Sequence, residues 1–235
     1  MGNITFIIFL KLLLLLLLPG LFWLYFFAGN KGIFNSTKRA LLPVFIMGIV
    51  VCVPAFAVEF FCVVLTRLTE NPLTVLISSF FIIGPLEEYL KSLAVDVGGY
   101  NKNEKTGLPQ LLAWYFAAAI GFASIENVLY YMAAGSHVFF FRMVLTTLAH
   151  IACSGIIAFF MGIFEDKPGL GFAIGFFFAM IVHGGYDYSI NVWPVTIWGW
   201  MVFFIAWVCF LETKLSQDHA SVPQRGPQSE PARCI

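Results

Sequence analysis

The sequence predicts an all-α protein: a polytopic membrane bundle of about seven transmembrane helices, with a polar site inside the third to sixth helices. The first observation is composition, because 60% of the residues are hydrophobic and only 11% are charged, whereas soluble domains carry about 25% charged residues. The second is the length of the apolar runs, which supply the roughly 20 residues that cross a bilayer. The third is the presence of ionisable residues inside these runs. These three observations make the lipid bilayer the expected surrounding of the chain. The formal net charge of +0 argues against nucleic acid as a partner.

Two spans are predicted before the polar site. The first covers residues 4–27. Its lysine- and leucine-rich start resembles a signal peptide, but no small-residue cleavage site follows, so the run is interpreted as a spanning helix. The second covers residues 40–66, with Pro43 and Pro54 as expected kinks. Glu59, in the outer part of this span, is interpreted as a residue that pairs helices, and membership of the polar site is the alternative.

The third span, residues 73–97, contains Glu87, Glu88 and Lys91. Each such charge costs about 2.5–3.5 kcal/mol at the centre of a membrane helix, so these side chains are expected to face a cavity or one another. Helical spacing places Lys91 on one face with Glu87 and within reach of Glu88. The two glutamates point about 100° apart. One of them can therefore line a site while the other supports it, and an ion pair that only locks helices together is the alternative.

The next three spans also carry polar residues. They are predicted over residues 110–132, 138–164 and 170–190, and they contain Glu126, Asn127, Arg142, His150, His183 and Asp187. Small residues at positions 117–119, 121 and 123, and the pair Gly171 and Gly175, predict close contacts between helices. A seventh span is predicted over residues 194–211, next to three tryptophans that suit a membrane interface, at positions 193, 198 and 200.

Residues 1–212 are therefore predicted to form one transmembrane domain, with its site region at 73–190. Residues 213–235 are predicted to be a polar, disordered cytoplasmic tail. Lysine and arginine concentrate in alternate loops, which predicts an N-terminus outside and a C-terminus in the cytoplasm. No internal repeat is visible in the sequence, which disfavours a transporter built from inverted halves. The five cysteines form no C-x-x-C pair and are interpreted as small buried side chains.

Ionisable residues on four of the predicted spans lie at compatible depths. From the helical rise, Glu87 lies about 20 Å from the outer start of its helix, and Glu126 and His183 about 10 Å below the outer surface. His150 lies about 18 Å below it. His183 and Asp187 are four residues apart, so the carboxylate is expected to orient the imidazole. This agreement in depth indicates one shared intramembrane site rather than separate polar residues.

Four stretches of the chain resemble one known set of motifs. They are Glu87-Glu88-x-x-Lys91, Gly121-Phe122-Ala-Ser-Ile-Glu126-Asn127, His150 and His183-Gly-x-Tyr-Asp187, in this order. The set is similar to the E-E-x-x-K, F-x-x-x-E-N, H and H-x-x-x-D motifs of the PrsW family of bacterial intramembrane proteases. It covers residues 84–188. CAAX prenyl endopeptidases, which belong to the wider superfamily, have histidine in place of Glu126 and asparagine in place of Asp187, so their substrate chemistry does not carry over.

The resemblance implies cleavage of a membrane protein within or near the bilayer of the bacterial inner membrane. Some members of the family are linked to site-1 cleavage of anti-sigma factors, which makes such a factor a candidate substrate. Peptide hydrolysis needs an activated water, a stabilised oxyanion and a proton donor for the leaving amine. Glu87 is assigned as the water-activating base, with Glu88 and Lys91 orienting it. Glu126 is expected to position the same water or a second proton, and Asn127 to support the site.

The histidines leave the type of catalysis open. His150 and His183 are candidate metal ligands, and His183 is alternatively an oxyanion donor with Asp187 behind it. Carboxylates and imidazoles suit Zn²⁺, so Glu87 and Glu126 complete the set of candidate ligands. No H-E-x-x-H motif is present, which excludes a familiar zincin site.

A lysine among the glutamates favours glutamate chemistry without an obligatory metal, because a second positive charge beside a dication is unfavourable. Two functions from other classes remain as alternatives. A proton-coupled transporter would use the same buried groups and show ion-dependent flux. A non-catalytic scaffold would keep its function after conservative replacement of Glu87.

Overall fold

The structure is a computed structural model, and it describes residues 38–69, 71–99, 106–135 and 142–221, together with single positions between 6 and 23. Within these residues six helices are long and apolar enough to cross a membrane, and no strand is present. This confirms a polytopic all-α bundle. The first predicted span, residues 4–27, falls on positions of which only a few are described, so the total of about seven spans stays a prediction.

The six spanning helices follow one another with short connections. They are α1 (Lys38–Thr69), α2 (Pro72–Gly98), α3 (Leu108–Ala134), α4 (Arg142–Ile163), α5 (Pro168–Val192) and α6 (Ile197–Ser221), and a short 3₁₀ turn, Pro194–Thr196, precedes α6. α6 continues to Ser221, into the segment predicted to be a disordered tail. Residues 222–235 of that tail lie outside the described residues.

Helices α3 and α4 form the centre of the bundle. In each, 78% of the residues in the most apolar part are buried, against 17–33% in the other four helices. α1 packs along α3 and α2, whereas α5 packs along α4 and crosses α2. Four helices thus surround α3 and α4, and exposed apolar side chains on the surrounding helices face the membrane.

Small residues let the central helices approach their neighbours. A Cβ atom at Gly121 of α3 would collide with the carbonyl oxygen of Phe45 in α1. A Cβ atom at Gly175 of α5 would lie 2.8 Å from the Cα atom of Ile157 in α4. Both contacts confirm the close packing predicted from the small residues of these helices.

A third close approach, between α2 and α5, positions the polar residues. A Cβ atom at Gly184 would lie 2.8 Å from the Cα atom of Phe80, and one at Gly84 would lie 3.2 Å from the backbone nitrogen of Gly184. This crossing brings the turn of α2 that carries Glu87 next to the turn of α5 that carries His183. The crossing also falls at a change of helix type, because α2 is a π-helix from Ser78 to Ile83. π-helical turns inside membrane and soluble helices frequently occur at functional sites.

Details of the outer helices differ in part from expectation. α1 is one continuous helix that contains Pro43 and Pro54, and the kinks expected at these prolines stay a prediction. Trp193 and Trp198 are exposed, as an interfacial belt requires, but Trp200 packs inward against Tyr186 and Phe204. The described cysteines are free, and three of the four are buried.

Candidate active site

A buried lysine lies at the centre of the polar residues. The ammonium nitrogen Nζ of Lys91 is 2.6 Å from Glu88 Oε1, 2.8 Å from His150 Nδ1 and 3.6 Å from Glu87 Oε2. It also lies 4.9 Å from the centre of the Phe122 ring. The side chain of Lys91 is 0% exposed, so its charge is balanced by these neighbours and not by water. The pairing of Lys91 with both glutamates confirms the geometry expected from their spacing.

The hydrogen bonds of His150 define its tautomer. An ammonium group can only donate, so Nδ1 of His150 accepts from Lys91. Nε2 then carries the proton and donates to Glu126 Oε2 over 2.7 Å. Both ring nitrogens are therefore engaged, and the ring also packs against Phe122 at 5.4 Å between ring centres. His150 links α2 to α3 in this arrangement.

His183 is held by a different carboxylate from the one expected. Its Nδ1 donates to Glu88 Oε1 over 2.8 Å, whereas Asp187 Oδ2 lies 3.6 Å from Nε2, beyond hydrogen-bond distance. The sequence spacing suggested Asp187 as the orienting group, but Glu88 of the neighbouring helix takes this role. Nε2 of His183 remains directed toward Glu87 Oε2, at 3.6 Å.

One carboxylate oxygen at the centre of the site makes no hydrogen bond. Within the described part of the chain, Glu87 Oε2 is buried and has no hydrogen-bond partner. Three nitrogen atoms surround it at the same distance, 3.6 Å, and they belong to Lys91, His150 and His183. A buried acceptor in this state costs about 1–3 kcal/mol relative to a paired one, which makes Glu87 a candidate functional group.

A cavity of about 180 Å³ lies over these residues. Its polar lining is Glu59, Ser79, Glu87, Glu126, Tyr130, Arg142, Thr146, His150, His183, Tyr186, Asp187 and Asn191. Glu88 and Lys91 do not line it and lie behind Glu87. The cavity is at the end of the bundle where α1 ends and α2 begins, which we call the site end. Glu126 and His150 each lie about 12 Å along the helix from this end. This agrees with the depth of about 10 Å expected for Glu126. The depth of about 18 Å expected for His150 was too large, because it was counted from residue 138, whereas the helix that the structure describes begins at Arg142.

Three residues of the site were not singled out as catalytic from the sequence. Arg142 Nη2 donates to Glu126 Oε1 over 2.6 Å, and the guanidinium carbon lies 3.5 Å from the centre of the Tyr130 ring. The Tyr130 hydroxyl in turn donates to Glu59 Oε1. Glu59 therefore pairs two helices, which was the interpretation favoured from the sequence. It also lines the cavity, which agrees with the alternative that it belongs to the polar site. The available signal was the four-residue spacing of Glu126 and Tyr130, which places both on one face of α3.

Three further residues of these helices lie around the cluster. Ser154 donates to Glu88 Oε2 over 3.2 Å and so fixes the second oxygen of that carboxylate. Cys153, interpreted as a packing residue, is buried and has its sulfur within 4.8 Å of donor atoms of Glu88 and His183. Asn127 donates to Thr147 over 3.2 Å, so it ties α3 to α4 and does not line the cavity.

The chain matches a protein family over residues 36–211, and this range contains α2 to α5 and every residue of the cluster described above. The family is described as PrsW family intramembrane metalloprotease. The chain belongs to the PrsW family. Its spanning helices and family membership together make it an intramembrane endopeptidase.

Three proteins named Protease PrsW are similar to this chain. The one from Shouchella clausii (strain KSM-K16) is 26% identical over 172 residues, which cover 72% of this chain and 78% of that protein. The one from Bacillus subtilis (strain 168) is 23% identical over 197 residues, or 82% of this chain and 87% of that protein. The one from Oceanobacillus iheyensis is 23% identical over 154 residues, or 64% and 70%. No solved structure matches the chain.

The family description implies a metal ion, and the donor types fit one. Glu87, His150 and His183 each have a donor atom within 4.8 Å of the others, and two imidazoles with a carboxylate form a ligand set of catalytic zinc. The hydrogen bond of His183 to Glu88 is of the kind that orients a zinc-bound histidine. In the arrangement described, however, Lys91 donates to His150 Nδ1, and Glu126 accepts from Nε2. A metal ion can therefore bind His150 only after the Lys91 ammonium moves or loses its proton.

Proposed function

We propose that this PrsW-family protease hydrolyses a peptide bond of a membrane-protein substrate at the cavity of the site end, with Glu87 as the base that activates water. The observation that carries this proposal is the buried Glu87 Oε2, which makes no hydrogen bond among the described residues, on a side chain that lines the cavity. A general base must lie within hydrogen-bond reach of the proton that it takes, and this oxygen can meet a water from the cavity.

Glu87 Oε2 is left without a hydrogen bond because the nearby donors bind the neighbouring carboxylate, Glu88. Glu88 accepts from Lys91, His183 and Ser154, so its two oxygens are fully engaged. Glu88 and Lys91 are therefore positioning residues that hold the turn of α2 and the ring of His183. Lys91 also supplies a fixed positive charge 3.6 Å from Glu87 Oε2, which stabilises the carboxylate form.

The proton that Glu87 takes from water must reach the leaving amine. When the ring of His183 is neutral and donates from Nδ1 to Glu88, Nε2 has a lone pair that faces Glu87 at 3.6 Å. His183 Nε2 can accept the proton from Glu87 and deliver it to the nitrogen of the breaking bond. Glu126 lines the same cavity and helps to position the water for attack on the substrate. Glu126 is itself fixed by hydrogen bonds from His150 and Arg142.

A divalent ion would be held by Glu87, His150 and His183, with Glu126 close to the same cavity. It would supply Lewis-acid polarisation of the water or of the substrate carbonyl. Lys91 already places a positive charge beside Glu87 and occupies Nδ1 of His150. The proposal therefore keeps water activation by Glu87 without an obligatory metal.

The substrate side of the proposal follows from the position of the cavity. The bias of lysine and arginine between loops supports an orientation in which the site end lies outside the cytoplasm, with the N-terminus outside and the C-terminus in the cytoplasm. A substrate that crosses the bacterial inner membrane would then be cut near the outer surface of that membrane. Such a cut agrees with site-1 cleavage, so an anti-sigma factor with one membrane span is the substrate we put forward.

The test is cleavage by the purified full chain in lipid bilayers. Single-span membrane proteins, anti-sigma factors among them, are incubated with the enzyme, and the products are mapped by mass spectrometry. Wild type is expected to give one internal cut near the outer end of the substrate span, and Glu87→Gln and His183→Ala are expected to give none. Cleavage by Glu87→Gln at the wild-type rate would refute the role of Glu87. Ion-dependent flux without any cut would favour a transporter.

A further inference from the structure

We propose that Arg142 is a second catalytic residue of this site, whose Nε–H binds the carbonyl oxygen of the scissile peptide bond. This inference rests on the proposed function, because it assigns the oxyanion-binding group of the same reaction. It goes beyond the motif residues, since Arg142 belongs to none of the four motifs that the chain shares with its family.

The guanidinium of Arg142 is held on two sides. Its Nη2 donates to Glu126 Oε1 over 2.6 Å, and its carbon Cζ lies 3.5 Å from the centre of the Tyr130 ring. Tyr130 is itself fixed by its hydrogen bond to Glu59. Arg142 also belongs to the π-helical first turn of α4, Arg142–Thr146, of which the first and last residues line the cavity. The donor group is thus positioned before any substrate arrives, as electrostatic stabilisation of a transition state requires.

One donor of this guanidinium, the Nε–H, has no hydrogen-bond partner among the residues that the structure describes. In the described residues, Arg142 Nε is buried and makes no hydrogen bond, as is also true of Glu87 Oε2. Both residues line the same cavity. Glu126 connects the two residues. One of its carboxylate oxygens accepts a hydrogen bond from Arg142, and a carboxylate oxygen of Glu126 lies within 4.8 Å of a carboxylate oxygen of Glu87. One unpaired acceptor and one unpaired donor are the complement of an attacking water and a peptide carbonyl.

Charge points to the same role. The cavity is lined by four carboxylates, Glu59, Glu87, Glu126 and Asp187. Arg142 is the one lysine or arginine among its described lining residues, since Lys91 lies behind Glu87. An oxyanion that formed in this cavity would be repelled by the carboxylates, and Arg142 offers the permanent positive charge that offsets them.

The step balances without another reactant. The water oxygen bonds to the carbonyl carbon, its proton moves to Glu87, and the π electron pair moves onto the carbonyl oxygen that Arg142 Nε–H binds. When this pair returns, the carbon–nitrogen bond breaks and the nitrogen takes the proton through His183. Arg142 keeps its own proton throughout, as expected of a guanidinium.

The test compares Arg142→Lys with Arg67→Lys in the full-length enzyme. Lysine keeps a positive charge near Glu126 but lacks the Nε–H. Arg67 is exposed at the end of α1 and does not line the cavity, so Arg67→Lys controls for the change of residue type. Arg142→Lys is expected to lower kcat by about 10²-fold or more with KM nearly unchanged, the effect of removing one oxyanion donor. Arg67→Lys is expected to leave both unchanged.

A second measurement separates oxyanion binding from a structural role. A phosphinic analogue of the mapped cut site, which carries a tetrahedral anionic centre, is compared with a matched uncleavable peptide for binding to each variant. Wild type is expected to prefer the analogue, and Arg142→Lys to lose this preference while its Tm stays close to that of wild type. Retention of the preference, or of kcat, by Arg142→Lys would refute the proposal. An unfolded Arg142→Lys would be replaced by Arg142→Gln, and wild type that does not prefer the analogue would refute the proposal by itself.

Failure of this inference is distinct from failure of the proposed function. Loss of cleavage in Glu87→Gln together with full kcat in Arg142→Lys would keep the base and remove only the oxyanion role. Normal cleavage by Glu87→Gln would remove the assignment on which both depend.

Discussion

Two cavities at opposite ends of the bundle differ in size and in chemistry. The cavity of the site end has a volume of about 180 Å³ and is lined by four carboxylates, two histidines and an arginine. The other, which we call the distal cavity, has about 390 Å³ and lies where α2 ends and α5 begins. Its described lining is Tyr89, Ser92, Leu93, Asp96, Tyr115, Met161, Pro168, Gly169 and Phe172. Asp96 is the one charged residue among them, so the smaller cavity has the greater number of charged side chains and volume alone does not point to the candidate site.

Carboxylate-to-amide substitutions in the two cavities give the largest expected contrast. Glu87→Gln keeps the volume of the side chain but removes the base, so kcat is expected to fall by about 10²–10⁴-fold. Asp96→Asn makes the same chemical change in the distal cavity and is expected to leave kcat close to the wild-type value. The measurement is the initial rate of substrate cleavage in bilayers. Equal losses in the two variants would mean that both cavities take part in the reaction.

The buried lysine gives the next contrast, this time in stability. Lys91→Met leaves the buried Glu88 without its ammonium partner, and breaking a buried ion pair in this way destabilises a protein by about 3–5 kcal/mol. The free energy of unfolding, measured by denaturant titration in detergent micelles, is expected to fall by about that amount, and cleavage is expected to be lost. A variant as stable as wild type would show that Glu88 is neutral, and the roles given to both residues would then fail.

Chelation tests whether the site end needs a metal in addition to Lys91. Wild-type enzyme is treated with a strong chelator, and the chelator–metal complex is then removed. The enzyme is expected to keep its activity, because Lys91 already supplies the positive charge beside Glu87. The rate of cleavage and the zinc content are measured on the same samples. Stoichiometric zinc that leaves with the activity and restores it on return would overturn this expectation. Glu87, His150 and His183 would then be the ligands to replace.

The smallest effect is expected in the distal cavity. Tyr115→Phe removes a hydroxyl that donates to the sulfur of Met161 over 3.4 Å, and a thioether sulfur is a weak acceptor. The rest of the ring is buried between α3 and its neighbours and is retained. Cleavage is expected to be unchanged, and the free energy of unfolding is expected to fall by about 1 kcal/mol or less. A large loss of cleavage would give the distal cavity a role in substrate binding.

The sequence predicted which residues meet but not all of their pairings. Charged residues in apolar helices must face one another, so Glu87, Lys91, Glu126 and the two histidines could be brought together from depth alone. The partner of His183 was assigned within its own helix, to Asp187, because spacing along one helix is visible in the sequence. The structure gives Glu88 instead, since the crossing of α2 and α5 depends on three-dimensional contacts that no local pattern contains.

The residues at the mouth of the site were harder to predict for a related reason. Arg142 was placed inside a predicted span, 138–164, but close to its start, and it lies at the first turn of the described part of α4. Whether it points into the bundle depends on where the helix begins and on how it is rotated. Glu59 and Tyr130 depend in the same way on the packing of α1 against α3. The relative rotation of helices was therefore the information that the sequence lacked.

The charges of α2 also govern how the chain can be inserted into a membrane. α2 has the lowest mean hydropathy of the six spanning helices, and each of its buried charges opposes release into lipid by about 2.5–3.5 kcal/mol. Lys91 and Glu88 neutralise each other inside α2, but their further partners, His150 and His183, are on α4 and α5. Those helices leave the ribosome later. We therefore expect α2 to remain beside the insertion machinery, sheltered by α1 and α3, until α5 has been synthesised. Biogenesis would then bury the site in its late steps, and a ribosome stalled before α5 would leave a chain that membrane quality control can recognise.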